Sequence, residues 1–224
     1  MIIGFHGRLG SGKDTAAERL AQIVDCDTEF VSFAGKLKAS AAALFGIPVE
    51  SWQEWKNDPD VRFVVEHKKA PTRHIADLSA REILQRYGTE AHRDIFGDNF
   101  WVDQALGDPP MSQGLANMMY MKHELTLVTD ARFPNELEGI QERMGVVVEL
   151  IGKDDPEVYK IQGQWFYTDD GAPVHPSEYP LEGCDYTIDN TSRYDDFANL
   201  DKQLYDLATK LGLPLRAAKM SEQR

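Results

Sequence analysis

Residues near the start of the chain have the types and spacing of a phosphate-binding loop. The segment Gly7-Arg8-Leu9-Gly10-Ser11-Gly12-Lys13 follows a short apolar run and precedes a stretch with helical spacing. Glycines let the backbone curl so that its N–H groups surround an anion, and the following helix N-terminus favours negative charge. A lysine in this position reaches the outer phosphates. The segment therefore predicts phosphate binding through Gly10, Ser11, Gly12 and Lys13.

The residue after this lysine departs from the usual motif. Asp14 stands where a serine or threonine is expected, and Thr15 follows one position later. The usual hydroxyl is a ligand of Mg²⁺, and a carboxylate is also a hard oxygen ligand, either directly or through a metal-bound water. We therefore predict that Asp14 replaces the usual hydroxyl as the ligand of Mg²⁺, directly or through a water, with the Thr15 hydroxyl nearby. The guanine-reading pattern Asn-Lys-x-Asp does not occur in the sequence, which favours ATP over GTP.

The elements that must position this loop alternate between strands and helices. Apolar runs predict strands over residues 2–6, 30–33, 125–129, 146–151 and 184–189. Apolar residues at helical spacing predict helices over residues 13–24, 36–46, 79–93, 99–106, 134–144 and 195–212. Ser79 and Glu82 have the pattern of a capping box. This alternation predicts an α/β fold with a mainly parallel sheet that binds ligands at the carboxyl ends of its strands.

Length and composition narrow the class of protein. The 224 residues carry a formal net charge of −13, which disfavours a surface that follows a nucleic-acid backbone. The sequence has no apolar run long enough to cross a membrane and no pattern of a signal peptide. Cys26 and Cys184 are too few for a disulfide scaffold, so we expect free thiols and a cytoplasmic location.

The chain is predicted to be one domain, residues 1–224, that carries two insertions. The core comprises residues 1–46, 125–151 and 184–212. Residues 47–107 begin with a mixture of tryptophans, charges and prolines, and we interpret them as a partly helical excursion from the core. Residues 152–183 are rich in glycine, proline, aspartate and aromatic residues, and a loop of this length predicts a lid.

Seven segments along the chain have a recognisable pattern: SGKDT (11–15), FAGKLK (33–38), REILQRYGTE (81–90), FW (100–101), VTDARFPNE (128–136), HPSE (175–178) and DYTIDN (185–190). In this order they resemble phage-type deoxynucleoside monophosphate kinases of the P-loop nucleoside monophosphate kinase group. The SGKD variant is itself similar to that family and to phosphomevalonate kinase, whereas residues 47–78 and 107–124 match less well. The resemblance implies a three-layer P-loop kinase sandwich and Mg²⁺-dependent transfer of the γ-phosphoryl group of ATP to a deoxynucleoside 5′-monophosphate.

The resemblance also implies roles for individual residues. Lys13 would contact the outer phosphates, Asp130 would orient Mg²⁺-bound water, and Arg132 would bridge the acceptor and transferred phosphates. The residues expected to bind the acceptor, mostly in the excursion, are Lys38, Arg81, Gly88, Arg93 and Trp101.

The expected lid contributes His175 and Glu178, which would close over the phosphates. A zinc site is rejected for this pair because it lacks a third ligand. Residues 190–192, after the last strand, are expected to contact adenine through the backbone.

Two other classes of function remain open. Kinases of phosphomevalonate or dephospho-coenzyme A use the same loop, so the acceptor depends on other residues. A non-catalytic nucleotide-binding module or an NTP-driven switch is the alternative outside the kinases. The expected partners are small nucleotides, with no nucleic acid or membrane, and a homodimer is left open. For a phage-encoded protein the location would be the cytoplasm of the infected host.

Overall fold

A computed structural model describes residues 1–56, 58–69, 72–107, 109, 124–153, 155–174, 178–192 and 197–217, without the side chains of 65–69, 72–76 and 124. His175, expected in the lid, lies outside these described residues. The chain divides into two compact units. We call Met1–Val31 together with Asp108–Arg224 the sheet unit, and Ser32–Gly107 the hairpin unit.

Strands and helices follow one another along most of the chain. The strands are β1 (Ile2–His6), β2 (Asp27–Val31), β3 (Arg62–Lys69), β4 (Thr72–Ser79), β5 (Glu124–Ala131), β6 (Val146–Gly152), β7 (Val158–Ile161), β8 (Gln164–Tyr167) and β9 (Tyr186–Asn190). The helices are α1 (Lys13–Ile23), α2 (Phe33–Phe45), α3 (Val49–Trp55), α4 (Ala80–Gly88), α5 (Asp94–Phe96), α6 (Phe100–Leu106), α7 (Pro134–Glu142) and α8 (Ala198–Lys210). A π-helical turn, Thr89–Arg93, joins α4 to α5.

The sheet unit is built on five parallel strands in the order β2-β5-β1-β6-β9. Helices α1 and α8 pack together on one face of the sheet, and α7 packs on β1 and β6. Gly4 of β1 leaves room for α7, because a Cβ there would lie 2.5 Å from the Ile140 Cδ1 atom. The predicted three-layer α/β fold with a mainly parallel sheet is confirmed, and it is consistent with a P-loop kinase.

The core between the sheet and α1 explains where the glycine loop lies. Ile3 and Phe5 of β1 are fully buried against Ala16, Ala17 and Leu20 of α1. This packing places the N-terminus of α1 at the carboxyl end of β1, at the edge where ligands bind in parallel sheets. None of the helices in the described part of the chain is long and apolar enough to span a membrane.

The hairpin unit contains α2 to α6 and the antiparallel pair β3–β4. Its core includes Trp52, which is fully buried and stacks on Phe63 with ring centroids 5.6 Å apart. The expected capping box is confirmed: Ser79 Oγ accepts from the Glu82 N–H at 3.2 Å, and Glu82 accepts from the Ser79 N–H at 2.8 Å. Helix α4 therefore begins where the sequence predicts.

Two hairpins differ from the sequence-based expectation. Residues 47–78 were expected to be partly helical, and α3 agrees, but β3 and β4 form a hairpin there. The segment 152–183 was expected to be irregular, yet it contains the antiparallel pair β7–β8. In both cases the strands pair with each other and not with the central sheet. Strand β2 also begins earlier than predicted, at Asp27.

Candidate functional site

The glycine loop connects β1 to α1 at the carboxyl edge of the sheet. Gly10 and Gly12 have φ angles of 83° and 97°, which are left-handed conformations that favour glycine. Gly12 is the N-cap residue of α1, and its carbonyl accepts from the Ala16 N–H at 2.8 Å. Gly12 provides no side-chain cap for the first N–H groups of α1, and an uncapped helix N-terminus of this kind is suited to binding an anion.

Lys13 is the first residue of α1, and its side chain folds back under the loop. Only 8% of the residue is exposed, and Nζ donates to the carbonyl oxygens of Gly7 at 2.6 Å and Arg8 at 2.8 Å. Burial lowers the pKa of Lys13, and the nearby Arg132 lowers it further. An anion in the loop would offset this cost to the charged form, so the site is electrostatically suited to phosphate.

Asp14 and Thr15 follow in the first turn of α1. Asp14 is exposed and Thr15 is partly buried. Their oxygens are hard ligands of the kind that Mg²⁺ prefers, so the residues fit this ion. Within the described ranges, no group of three or more His, Cys, Asp or Glu side chains is placed to hold a metal. A magnesium ion here would therefore take further ligands from phosphates and water, as is usual for Mg²⁺.

The end of β5 places Asp130 and Arg132 at the same edge of the sheet. Asp130 is partly buried near the end of the strand. The chain then turns into α7, and the carboxylate of Glu136 accepts from the N–H groups of Arg132 at 2.7 Å and Phe133 at 3.1 Å. Glu136 is 3% exposed. It fixes the backbone from which Arg132 projects, a contact that the sequence analysis did not identify.

Glu178 of the expected lid contacts both the loop and Arg132. One oxygen of its carboxylate accepts from the Leu9 N–H at 2.8 Å, and the other lies 3.7 Å from the Arg132 Nη1 atom. The structure thus brings together the glycine loop, Arg132 and Glu178. Sequence reasoning assigned Glu178 to the lid, but it gave no partner for the carboxylate.

His6 is a further titratable group of this edge that the sequence analysis did not assign to the site. It is the last residue of β1, is buried, and its Nδ1 atom lies 3.1 Å from the Ala131 carbonyl oxygen. Burial lowers the pKa of His6, against the opposing effect of this hydrogen bond, and the charges of Lys13 and Arg132 lower it further. The neutral imidazole is therefore the favoured form beside the loop.

A cleft of about 180 Å³ lies beside the glycine loop. His6, Arg8, Glu149 and Tyr179 are among the residues that line it. Burial raises the pKa of Glu149, and the Asp155 carboxylate raises it further. The wall of the cleft is thus a mixture of a buried imidazole, a partly buried carboxyl group and an aromatic ring.

The residues expected to bind the acceptor all belong to the hairpin unit. Lys38 donates to the Gln53 side chain, Arg81 is exposed in the first turn of α4, and Arg93 is partly buried in the π-helical turn. Trp101 is 4% exposed, and its Nε1 atom donates to the Gly88 carbonyl oxygen at 3.0 Å.

Packing gives Gly88 and Trp101 a structural role. A Cβ on Gly88 would lie 2.3 Å from the Leu37 Cδ1 atom, and the buried indole of Trp101 packs in the same region. From the sequence, both residues are expected to bind the acceptor. Those acceptor roles, and those of Lys38, Arg81 and Arg93, stay predictions.

With its parallel sheet and a glycine loop between β1 and α1, the protein has a three-layer α/β architecture that is consistent with a P-loop kinase. No protein-family model matches the chain. It is similar to a protein of Acanthamoeba polyphaga mimivirus described as a "putative deoxynucleotide monophosphate kinase", with 27% identity over 205 residues that cover 88% of this chain and 92% of the viral protein. It is also similar to the deoxynucleoside-5′-monophosphate kinase of Escherichia phage T5, with 24% identity over 172 residues, 70% of this chain and 65% of the phage protein.

Proposed function

We propose that the protein is a deoxynucleoside monophosphate kinase, which transfers the γ-phosphoryl group of ATP to a deoxynucleoside 5′-monophosphate and releases ADP and the diphosphate. The observation that carries the proposal is the buried Lys13 ammonium under a left-handed glycine loop at the N-terminus of α1. Both viral relatives have names of deoxynucleotide monophosphate kinases, and this supports the proposed acceptor.

Phosphoryl transfer depends mainly on positioning and on stabilising charge, with little covalent chemistry for the protein. In the proposed mechanism the loop N–H groups and Lys13 bind the ATP phosphates. Arg132 neutralises charge that develops on the transferred group. Asp14 and Thr15 would hold Mg²⁺, which supplies further charge neutralisation at the phosphates when bound. Asp130 is proposed to orient the water of that ion.

The remaining parts of the chain are proposed to bind the acceptor and exclude water. Residues 47–107 would provide the acceptor site, to which Arg81 and Arg93 bring guanidinium groups that match phosphate oxygens. Residues 152–183 would act as the lid, in which Glu178 already contacts the loop. Closing over the substrates would suppress hydrolysis of ATP. The proposed location is the cytoplasm, with nucleotides as the substrates.

The test is a coupled assay of ADP release with ATP and Mg²⁺ across dGMP, dTMP, dCMP, dAMP and phosphomevalonate. We expect turnover with at least one of the deoxynucleotides. Lys13→Ala is the matched negative control, and its turnover should fall by roughly 10²–10³-fold, the usual cost of removing a donor to developing charge. Activity with phosphomevalonate alone would contradict the proposal, as would tight ATP binding without transfer to any monophosphate.

A further inference from the structure

Asn190 lies at the carboxyl end of β9 and contacts the glycine loop through its side chain. The Nδ2 atom donates to the Ser11 carbonyl oxygen at 2.8 Å, across 179 positions of sequence. Asn190 is 8% exposed. Along β9 the buried residues are Ile188 and Asn190, so the two lie on the same face of the strand. Ile188 packs in the core with α1, and Asn190 continues this face to the loop.

Asn190 lies so close to the glycine loop that a side chain on Gly12 would not fit between them. A Cβ on Gly12 would lie 2.4 Å from the Asn190 Nδ2 atom. On β6, the residue paired with Asn190 is Gly152, where a Cβ would lie 2.9 Å from the Ser11 Cα atom. The ends of β6 and β9 therefore support the Ser11–Gly12 peptide directly, and two glycines make this approach possible.

Peptide geometry gives the Asn190 hydrogen bond a consequence for the loop. In a planar trans peptide the C=O group and the following N–H group point in opposite directions. The Ser11 carbonyl is held toward Asn190, so the Gly12 N–H is directed to the other side of the peptide, away from β9. Without the amide donor, this peptide would lose the contact that fixes its orientation, because Gly12 itself is conformationally permissive.

We propose that Asn190 is a positioning residue for phosphate binding, whose amide holds the Ser11–Gly12 peptide so that the Gly12 N–H donates to a phosphate oxygen of ATP. The inference rests on the proposed function for the identity of the ligand. The expectation that residues 190–192 contact adenine through the backbone stays a separate prediction.

The test compares Asn190→Ala with Asn190→Leu in the full chain. Leucine branches at the same carbon as asparagine and adds no charge beside the loop, but it has no hydrogen to donate to the Ser11 carbonyl. We expect both variants to weaken ATP binding about tenfold or more, because a buried acceptor loses its donor. The KM for ATP should rise accordingly, while the KM for the deoxynucleotide stays at its wild-type value. Binding is measured by calorimetry with ATP, and folding by thermal unfolding.

Asn199→Ala is the matched control. Asn199 is on α8, and its Nδ2 atom lies 3.4 Å from the Asp189 carbonyl oxygen, so the change removes an amide near the end of β9 without touching the loop. The control should bind ATP as the wild type does. A purely packing role for Asn190 predicts that Asn190→Leu retains wild-type affinity and that Asn190→Ala alone loses it, and this result would overturn the inference.

A measurement on the unaltered protein keeps the inference testable if the variants fold poorly. The Gly12 amide proton should move downfield in the NMR spectrum when ATP is added, because it gains a charged acceptor. An unchanged Gly12 resonance in protein saturated with ATP contradicts the inference. Failure of the proposed function would look different: ATP would bind and depend on Asn190, but no monophosphate would be phosphorylated.

Discussion

Among single residues, Asp14 is the one whose substitution is expected to change the dependence of activity on Mg²⁺. Its exposed carboxylate lies in the first turn of α1, next to Lys13, where a metal ligand is proposed. Asp14→Asn keeps the shape and removes the charge, so we expect a higher Mg²⁺ concentration for half-maximal activity and a lower turnover. The variant should also lose about 0.3–1 kcal/mol of stability, because a negative charge near a helix N-terminus is favourable.

The Asp14 experiment is a titration of Mg²⁺ in the ADP-release assay at saturating nucleotides. Glu18→Gln is the control, since Glu18 is exposed one turn further along the same helix. Superimposable Mg²⁺ curves for Asp14→Asn and the wild type would show that the carboxylate has no part in binding the metal.

Arg81 offers a second residue-scale prediction, this time for the acceptor. It is exposed in the first turn of α4, and a guanidinium group matches the oxygens of a phosphate. Arg81→Ala should raise the KM for the deoxynucleotide by about tenfold or more, the cost of a charge-assisted hydrogen bond, and leave the KM for ATP unchanged.

Arg86→Ala on the same helix is the control for Arg81. Arg86 is exposed and lies 3.9 Å from the Glu90 carboxylate, so its loss removes a surface charge of the same type. Steady-state kinetics with each substrate varied in turn separates the two KM values. An equal loss of affinity for both substrates in Arg81→Ala would contradict an acceptor role.

For the elements, the contact between the expected lid and the glycine loop is the testable feature. The Glu178 carboxylate accepts from the Leu9 N–H and lies near Arg132. Glu178→Ala removes a charged acceptor at a solvent-accessible position, worth about 1 kcal/mol after solvent screening. The Leu9 amide should therefore exchange its hydrogen about fivefold faster, which hydrogen-exchange NMR measures. Glu182→Ala, a change at an exposed residue of the same segment, should leave this rate unchanged.

An element can be predicted from the sequence where the contacts that determine it join residues that lie close together in the chain. The strand β1, the glycine turn and helix α1 follow from apolar runs and glycine positions within a few residues, and so does the cap at Ser79. Strands β7 and β8 could not be predicted in this way. Their residues show no alternation of buried and exposed positions, and they pair with each other and not with the central sheet.

The candidate site shows the same division between local and distant contacts. Lys13 and Arg132 could be identified because a motif or a strand end marks them in the sequence. The contacts of Asn190 with Ser11 and of Glu178 with Leu9 join residues 179 and 169 positions apart. Such contacts depend on the order of strands in the folded sheet, which the linear pattern does not contain. The resemblance to the kinase family identified the segments of the site, and the folded structure identified the distant residues that contact them.

At the scale of the whole molecule, the positions of the charges indicate the kind of ligand better than the net charge does. The chain carries a net charge of −13, yet Lys13 and Arg132 lie close enough at the carboxyl edge of the sheet for both to lower the pKa of His6. A local group of cations within an acidic protein attracts a small polyanion while the remaining surface repels nucleic acid. This distribution agrees with a nucleotide as the proposed ligand.

The burial of His6, with a smaller effect of the same cations, gives the stability of the protein a pH dependence. Burial lowers the pKa of His6 below its ordinary value of 6.5, so the unfolded chain takes up a proton at a pH where the folded protein does not. The unfolding free energy should therefore be highest above pH 6.5 and fall as the pH decreases from 6.5 toward the lowered pKa. His6→Asn keeps a donor for the Ala131 carbonyl but has no titrating group in this range.

Urea unfolding across this pH range tests the His6 prediction. Carboxylates also titrate on acidification, but they contribute equally to the wild type and the variant, so the difference between the two isolates His6. We expect the wild type to lose more stability than His6→Asn between neutral and mildly acidic pH. Parallel stability curves for the two proteins would mean that His6 takes up its proton at the same pH in the folded and unfolded chains, contrary to its burial beside Lys13 and Arg132.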